Sequence, residues 1–386
     1  MTQGELEKLP QPVQKAFSDL EKRIMTDIVR RVEQNGFATD SADWQVSRLQ
    51  QLGESEENIR IWMWKALDIS EEEVEAIFSD ALYEQYTGYE RAYKVYGKEQ
   101  IPYEQNEPLQ QLVEATRKQI SKEFRNLANS SGFVMKDTTG KIIYSPMMDF
   151  YRKTLDNAVM DIHSGAFSYQ TVLKRTISQL TSSGVRYVDY SSGRHLHVDV
   201  AARMAVMTGF RQVQGQINQQ LSKDLGTDTY QVTWHAGARP THQPWQGKVW
   251  TYQQLEEVCG LGSVTGLHGA NCYHDYNAFI PGFSIRAYTD EWLEEQNQKE
   301  NTPKEYLGKN YTTYEALQKQ RSMERSMRKT RQDISLLKEG KSAEEDVTLA
   351  KAKYQGQMQQ YQTFSKKMDL PVQMDRIYQD GLGKVG

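Results

Sequence analysis

Apolar side chains recur at steps of three and four residues through most of this 386-residue sequence, and this spacing constrains the fold more than any other feature. It is typical of amphipathic α-helices that bury one narrow face and expose a charged one. The spacing predicts helices over residues 11–34, about 106–130, 147–162, 169–180, 198–221, 312–337 and 343–368. The sequence therefore predicts a predominantly α-helical protein.

Local signals refine the helix boundaries. A separate helix is expected through "ENIRIWMWKALDI", followed by a capping box of Ser70 and Glu73 that opens another helix. Near the C-terminal end, a second capping box of Ser342 and Glu345 follows Gly340. The last two helices are therefore expected to form an αα-hairpin.

Two stretches indicate β-structure. In "GFVMKDTTGKIIYS", two β-prone runs flank Asp137-Thr138-Thr139-Gly140, which predicts a hairpin. "YQVTWH" alternates apolar and polar residues from Tyr230, which predicts a strand. Residues 235–283 are dominated by Gly, Pro, His and aromatic residues, so we expect a loop-rich unit there.

The predicted fold class is therefore α+β and predominantly α-helical. The length exceeds what one hydrophobic core usually supports, so we expect several regions. Residues 1–130 are predicted to form an elongated helical N-terminal region, and residues 131–225 a hairpin plus long helices. Residues 226–300 are predicted to form a small Gly/His/Trp-rich α+β motif unit, and residues 301–386 a C-terminal helical hairpin.

The net charge of −4 is nearly balanced, but the charge is unevenly distributed. Residues 51–100 hold 12 acidic against 5 basic side chains, whereas residues 319–338 hold 7 basic against 2 acidic ones. Solvated helix faces explain such segregation, and so does docking to oppositely charged neighbours in an assembly. No apolar run approaches the roughly 18 residues of a membrane span, and no signal-peptide pattern is present, so we expect neither membrane insertion nor export.

Four of the seven histidines and both cysteines fall within residues 235–274. Neutral imidazole and thiolate are the usual protein ligands of Zn²⁺, so this window is a candidate zinc site. The candidate ligands are His235, His242, Cys259, His268, Cys272 and His274. Their spacing matches neither the C-x₂-C nor the H-x₃₋₅-H pattern of common zinc modules. The alternative interpretation is a packed polar core around Trp234, Trp245 and Trp250, in which glycines and prolines fix chain reversals.

Catalysis is not expected, because the sequence contains no P-loop, no G-x-G-x-x-G after a strand and no G-x-S-x-G. The alternative function is a zinc-dependent hydrolase or nuclease that uses the His/Cys cluster at 235–274, with Asp275 beside a metal-activated water. A further alternative is a non-enzymatic DNA-binding module that uses the basic residues of 319–338.

The same window resembles the phage minor capsid protein 2 family, which is related to the Mu F-like head-morphogenesis proteins. The resemblance rests on "HAGARPTHQPWQGK", which begins at His235, and on "GANCYH", which ends at His274. Its structural motif residues are Gly237, Arg239, Pro240, Trp245, Gly247, Lys248, Gly269, Asn271, Pro281 and Gly282. The family pattern has Arg where this chain has Tyr273, and the Mu F-like proteins commonly have a second Cys in place of His274. A Cys-to-His exchange retains a ligand suited to a soft metal, which favours the zinc interpretation.

The resemblance implies a structural virion component, a minor capsid or head-morphogenesis protein of a tailed bacteriophage. It implies a place near the portal and a role in procapsid assembly or DNA delivery. The implied partners are the portal protein, major capsid or scaffold proteins and packaged DNA, with oligomers only within the virion assembly. The implied location is the phage head, and the host cytoplasm during assembly. No cofactor is firmly implied, and zinc remains the candidate.

The basic stretch near the C-terminal end is the candidate surface for DNA phosphates or an acidic partner. Clustered Arg and Lys side chains release counterions when they bind phosphates. The candidate contacts are Lys319, Arg321, Arg325, Arg328, Lys329 and Arg331. Few aromatic residues interleave with these charges, so base stacking is not expected.

Overall fold

The computed structural model describes residues 3–35, 41–136, 139, 141–189, 194–269, 271–282 and 284–383. The described residues are 66% helical and carry small antiparallel sheets, which confirms a predominantly α-helical α+β fold. Among the described residues, none of the helices combines the length and the apolar character that crossing a bilayer requires.

The helices account for most of the described residues. They are α1 Gln3–Lys8, α2 Gln11–Asn35, α3 Ser41–Thr87, α4 Glu90–Val95, α5 Glu107–Asn129, α6 Met147–His163, α7 Tyr169–Ser183, α8 Val198–Leu225, α9 Tyr252–Glu257, α10 Asp290–Asn301, α11 Thr313–Glu339, α12 Glu344–Lys367 and α13 Met374–Tyr378. A 3₁₀ turn at Tyr103–Gln105 precedes α5.

The strands are short. They are β1 Ser131–Lys136, β2 Ile142–Pro146, β3 Arg186–Asp189, β4 Arg194–His197, β5 Thr229–Val232, β6 Val249–Thr251, β7 Tyr276–Phe279, β8 Lys304–Tyr306 and β9 Lys309–Tyr311. They pair in the orders β2-β1-β3-β4, β6-β5-β7 and β8-β9, and every described pairing is antiparallel.

The described chain divides into two compact units. The first unit comprises Met1–Gln11, Glu71–Glu123 and Arg203–Lys319, and the second comprises Pro12–Ser70, Phe124–Ala202 and Gln320–Gly386. The four consecutive regions expected from the sequence, with boundaries near 130, 225 and 300, stay a prediction, because such units do not test where independently folding regions begin.

The first unit contains the β6-β5-β7 sheet and the part of α8 that begins at Arg203. Polar side chains tie this helix to the residues around α4: Tyr89 Oη donates to Asn218 Oδ1 at 2.6 Å, and Tyr93 Oη donates to Asp224 Oδ2 at 2.5 Å. Helix α8 packs closely against α5 at Gly209. A methyl group there would lie 2.6 Å from the Cδ1 of Ile120 in α5.

The second unit contains the β2-β1-β3-β4 sheet, the part of α11 that begins at Gln320, and α12. The hairpin expected at 132–145 is confirmed as the antiparallel β1–β2 pair, while its turn residues Asp137, Thr138 and Gly140 lie outside the described residues. The expected αα-hairpin is also confirmed. Helices α11 and α12 pack within the chain around a buried core of Met327, Ile334, Tyr354, Tyr361 and Ile377.

The predictions of two capping boxes, at Ser70 and at Ser342, are wrong. The structure has one continuous helix, α3, through Ser70, whose hydroxyl donates to the Ala66 carbonyl at 2.6 Å instead of capping a new helix. Helix α12 begins after Ala343 without a side-chain cap. The Ser342 hydroxyl instead faces side-chain oxygens, Gln170 Oε1 at 3.0 Å and Asp346 Oδ2 at 3.3 Å.

Candidate functional site

The β6-β5-β7 sheet brings the two motif segments together. Strand β5 is central, and its last residue Val232 pairs with Tyr276, the first residue of β7. Its neighbour Gln231 pairs with Val249, the first residue of β6. Because these pairings are antiparallel, the loop 233–248 and the segment that enters β7 lie at the same end of the sheet.

The loop after β5 is compact. The backbone N–H of His242 donates to the Arg239 carbonyl at 2.8 Å, and that of Gln246 donates to the His242 carbonyl at 3.0 Å. Trp245 is buried in the apolar core of the first unit, and Trp250 Nε1 donates to the Trp245 carbonyl at 2.9 Å. Trp234 packs elsewhere, against Trp292 at a ring distance of 4.9 Å. Two of the three tryptophans thus take the core role expected of them.

Three of the six candidate ligands converge at this end of the sheet. One ligand atom from each of His242, Cys272 and His274 lies within 4.8 Å of the others, and all three residues are buried. The two histidines face each other with 3.4 Å between their Nδ1 atoms. Cys272 Sγ lies 3.5 Å from His274 Nδ1. This group, His242, Cys272 and His274, is called the HCH cluster below.

The remote ring nitrogens of the HCH cluster are held by oxygen atoms. His242 Nε2 lies 2.8 Å from the Thr265 carbonyl, and His274 Nε2 lies 2.8 Å from Gln246 Oε1. Burial lowers the pKa of His242, and burial together with the neighbouring His235 lowers the pKa of His274 well below its usual value. Burial raises the pKa of the Cys272 thiol. Without a bound cation, all three groups are therefore neutral near pH 7.

The other three candidate ligands lie near the HCH cluster but are engaged differently. His235 packs its ring on that of His274 at 4.1 Å, while its Nδ1 faces the Ala236 carbonyl at 3.1 Å. His268 Nε2 is 3.1 Å from Asp275 Oδ1. Cys259 is 1% exposed in the apolar core, and burial raises the pKa of its thiol to about 12.

Several glycines and polar residues of the motif stabilise the backbone conformation of the two motif segments. Gly237 and Gly247 adopt φ values of 70° and 75°, where a side chain is strained. A Cβ at Gly269 would lie 2.5 Å from the carbonyl oxygens of Ser263 and Val264. Asn271, at φ 56°, accepts a hydrogen bond from Arg203.

The remaining motif residues lie closer to the surface. Pro240, Pro281 and Gly282 are exposed, and Arg239 and Lys248 are partly buried. Ala270 lies outside the described residues.

A buried polar face of α8, which sequence reasoning missed, holds the segment that carries Cys272 and His274. Arg211, Gln214 and Asn218 are each at most 4% exposed. Arg211 donates to the Tyr273 carbonyl at 3.1 Å, and Gln214 Nε2 donates to Asp275 Oδ2 at 2.6 Å. Their spacing of three and four residues places them on one helix face and could have indicated this buried polar face from the sequence. The apolar stripe beside it is the stronger pattern and drew the interpretation instead.

The geometry is suited to holding an ion more than to nucleophilic chemistry. A nucleophilic cysteine needs a lowered thiol pKa, whereas burial raises that of Cys272. Burial alone would raise the pKa of Asp275, but the hydrogen bond from His268 and the charge of Arg211 outweigh it and lower the pKa. Both Asp275 carboxylate oxygens accept hydrogen bonds from side chains, Oδ1 from His268 and Oδ2 from Gln214.

The basic residues expected to contact DNA differ in accessibility along α11. Lys319 and Arg325 are exposed, and Arg321, Arg328 and Lys329 are partly buried. Lys329 pairs with Asp333 at 3.1 Å.

The prediction that Arg331 contacts DNA is wrong. It is fully buried and pairs with Asp380 at 2.7 Å, so phosphates cannot reach it.

The profile of the family described as "Phage minor capsid protein 2" matches residues 1–365. No curated protein and no solved structure gives a significant match. Because the match covers nearly the whole chain, the chain belongs to the phage minor capsid protein 2 family. It is a structural component of a phage head, as the resemblance of its motif predicted.

Proposed function

We propose that this member of the phage minor capsid protein 2 family lies near the portal, where it takes part in procapsid assembly or DNA delivery. The family match over residues 1–365 is the observation that carries the proposal. The proposed role is structural and not catalytic, with the portal protein and the major capsid or scaffold proteins as partners. The chain joins the head from the host cytoplasm and is oligomeric only within that assembly.

A cluster of like charges on α11 supports contact with an anionic partner. Arg321, Arg325 and Arg328 follow each other at steps of four and three residues, so they share one helix face. Within the part of the chain that the structure describes, no ion pair engages Arg321 or Arg325. Although Arg325 is exposed as a whole, partial desolvation of its guanidinium and the charges of Arg328 and Arg321 lower its pKa, against the opposing charge of Glu324. Phosphates of packaged DNA would relieve this repulsion, so DNA is the anionic partner we propose.

Purified particles test the location. We expect heads from an infected host to contain the chain, and mild dissociation to release it with the portal protein and not with the capsid shell. A phage that lacks the gene separates the two roles. Few or misshapen procapsids indicate assembly, and filled heads that fail to infect indicate delivery. Normal assembly together with normal infectivity contradicts the proposal.

DNA contact is tested with the full chain and a double variant, Arg321→Gln/Arg325→Gln. Removing one phosphate-binding charge reduces the slope of log affinity against log salt by about 0.9, so we expect the slope to fall by about 2. The matched control is Lys351→Gln/Lys353→Gln, which removes the same charge from α12 of the same unit. Equal slopes for both double variants contradict a specific role for the α11 face.

A further inference from the structure

We propose that His242, Cys272 and His274 bind one Zn²⁺ ion through His242 Nδ1, His274 Nδ1 and Cys272 Sγ. The ion would join the turn after β5 to the segment that enters β7. These two parts of the chain are 30 or more residues apart in sequence, and the HCH cluster is where their side chains meet.

The hydrogen bonds of the two imidazoles determine which ring nitrogen of each carries the proton. A carbonyl oxygen can only accept, so His242 Nε2, 2.8 Å from the Thr265 carbonyl, carries the proton. Gln246 Oε1 accepts the backbone N–H of His235 at 3.3 Å, which orients the amide and makes His274 Nε2 a donor too. The opposite orientation of Gln246 would turn its N–H groups toward the N–H of His235.

Each neutral imidazole has one proton, so both Nδ1 atoms present lone pairs. These lone pairs face each other across 3.4 Å in a buried site. Two acceptors at this distance repel each other unless a cation or a donor lies between them. A ligating histidine commonly donates its other N–H to a carbonyl or amide oxygen, which is the arrangement that Thr265 and Gln246 provide here.

The distances between the three ligand atoms fit a tetrahedral zinc ion. With Zn–N of about 2.0–2.1 Å and Zn–S near 2.3 Å, a tetrahedral ion separates two nitrogens by about 3.3–3.4 Å and a nitrogen from a sulfur by about 3.5–3.6 Å. The HCH cluster has 3.4 Å between its nitrogens and 3.5 Å between His274 Nδ1 and Cys272 Sγ. Two edges of the coordination tetrahedron are therefore already formed.

The donor set selects the metal. Two imidazoles and a thiolate favour Zn²⁺ over the hard cations Mg²⁺ and Ca²⁺, which prefer oxygen ligands. On binding, the ion replaces the proton of the Cys272 thiol, and that proton passes to solvent. The fourth tetrahedral position remains for a water molecule or a further donor. The segment around His274 is anchored beforehand, because Arg211 and Gln214 of α8 bind its neighbours Tyr273 and Asp275.

Metal analysis and cobalt substitution test the site in the full chain. We expect the chain purified from zinc-supplemented cells to retain about one equivalent of zinc after dialysis. Co²⁺ added to the metal-free chain should give the intense visible bands of a tetrahedral site and a thiolate-to-cobalt charge-transfer band. Less than about 0.1 equivalent of zinc, together with no charge-transfer band, overturns the proposal.

Two cysteine variants locate the site. Cys272→Ala removes the proposed ligand, and Cys259→Ala makes the same change at a buried cysteine of the same apolar core. We expect the charge-transfer band to disappear in Cys272→Ala and to persist in Cys259→Ala. Persistence of the band in both variants overturns the assignment of Cys272 as a ligand. If Cys272→Ala does not fold, the wild-type chain alone decides, and absence of the band from its cobalt spectrum overturns the proposal. Neither result depends on the role in the head.

Discussion

Arg331 Nε donates to Asp380 Oδ2 at 2.7 Å, and Arg331 Nη2 donates to Asp380 Oδ1 at 2.9 Å. The side chains of the pair are 0% and 4% exposed, so this two-pronged ion pair lies inside the second unit. It ties α11 to the segment that follows α13. Arg331 therefore differs from its neighbours Arg321 and Arg325, because its charge is used within the fold.

Asp380→Asn is expected to destabilise the protein strongly. The substitution keeps the shape of the side chain but leaves the guanidinium of Arg331 buried without a counter-charge. Breaking one side of a buried pair typically costs about 3–5 kcal/mol of unfolding free energy. Urea unfolding, followed by circular dichroism, should show a clear drop in the midpoint. The control is Glu90→Gln, which removes the carboxylate of the exposed Glu90–Lys94 pair and should cost under about 1 kcal/mol. Similar costs for both variants would contradict a buried role for Arg331.

Glu21 is expected to make the second unit less stable as the pH rises. Burial and the nearby Asp199 raise the pKa of Glu21 from 4.5 to about 7, although Val185 N–H donates to its carboxylate at 2.6 Å. A carboxyl group with a raised pKa in the folded state contributes stability that is present below pH 4.5 and lost as the pH rises to about 7. Glu21→Gln should remove this loss, which is about 3 kcal/mol. Urea midpoints at pH 4.5 and pH 8 test it: relative to wild type, the variant should gain stability at pH 8.

His197 changes the free energy of unfolding with pH in the opposite direction to Glu21. Burial and the charge of Arg186 lower the pKa of His197 from 6.5 to about 4. Its contribution is present above pH 6.5 and lost as the pH falls to about 4, so it partly offsets that of Glu21 in the wild type. In Glu21→Gln, stability should therefore rise from pH 4.5 to 6.5. An exposed control, Glu345→Gln, should leave the wild-type pH profile unchanged, and a Glu21→Gln profile that matches it would contradict the prediction.

Much of the fold could be predicted because apolar spacing reports helices directly. Helix α2 spans Gln11–Asn35 and α5 spans Glu107–Asn129, within about two residues of the predicted bounds. Helix ends were harder, since Ser70 fits a capping box by sequence but bonds back to Ala66 within a longer helix. Local patterns cannot tell these outcomes apart, because the packing of the whole helix decides whether the chain turns.

The candidate site was predictable in residue type but not in pairing. The density of His and Cys within 235–274 pointed to the right window. Which ligands meet depends on the β5–β7 register, in which Val232 pairs with Tyr276 and so places His274 beside the turn that carries His242. Gln246 belongs to the motif, but its contact with His274 arises only once the loop has folded, so the sequence does not reveal that it orients this ligand.

Gly209→Ala should destabilise the first unit, although alanine normally favours a helix by up to about 1 kcal/mol over glycine. The added methyl would lie 2.6 Å from Ile120 Cδ1 and 2.8 Å from Thr116 Cγ2, so α5 and α8 would have to separate slightly. We expect a net loss of about 1–2 kcal/mol by urea unfolding, partly recovered when Ile120→Val is added. Gly356→Ala in α12 is the matched control, because no described atom lies within 4 Å of its added methyl. It should stabilise the protein, and a stabilising Gly209→Ala would contradict the close packing.

Gln246→Leu should weaken zinc binding without removing a ligand. Gln246 Oε1 accepts the Nε2 proton of His274 at 2.8 Å and so keeps the Nδ1 lone pair directed at His242 and Cys272. Loss of such an outer partner typically lowers metal affinity by about 10- to 100-fold. Competition with a chromophoric chelator measures the affinity. Gln243→Leu is the control, because Gln243 belongs to the same turn but accepts its hydrogen bond from Asn301 at 2.9 Å. Its zinc affinity should match the wild type. Equal affinities for the two variants would mean that Gln246 does not orient a ligand, whereas a loss confined to Gln246→Leu ties the proton on His274 Nε2 to the metal on its Nδ1.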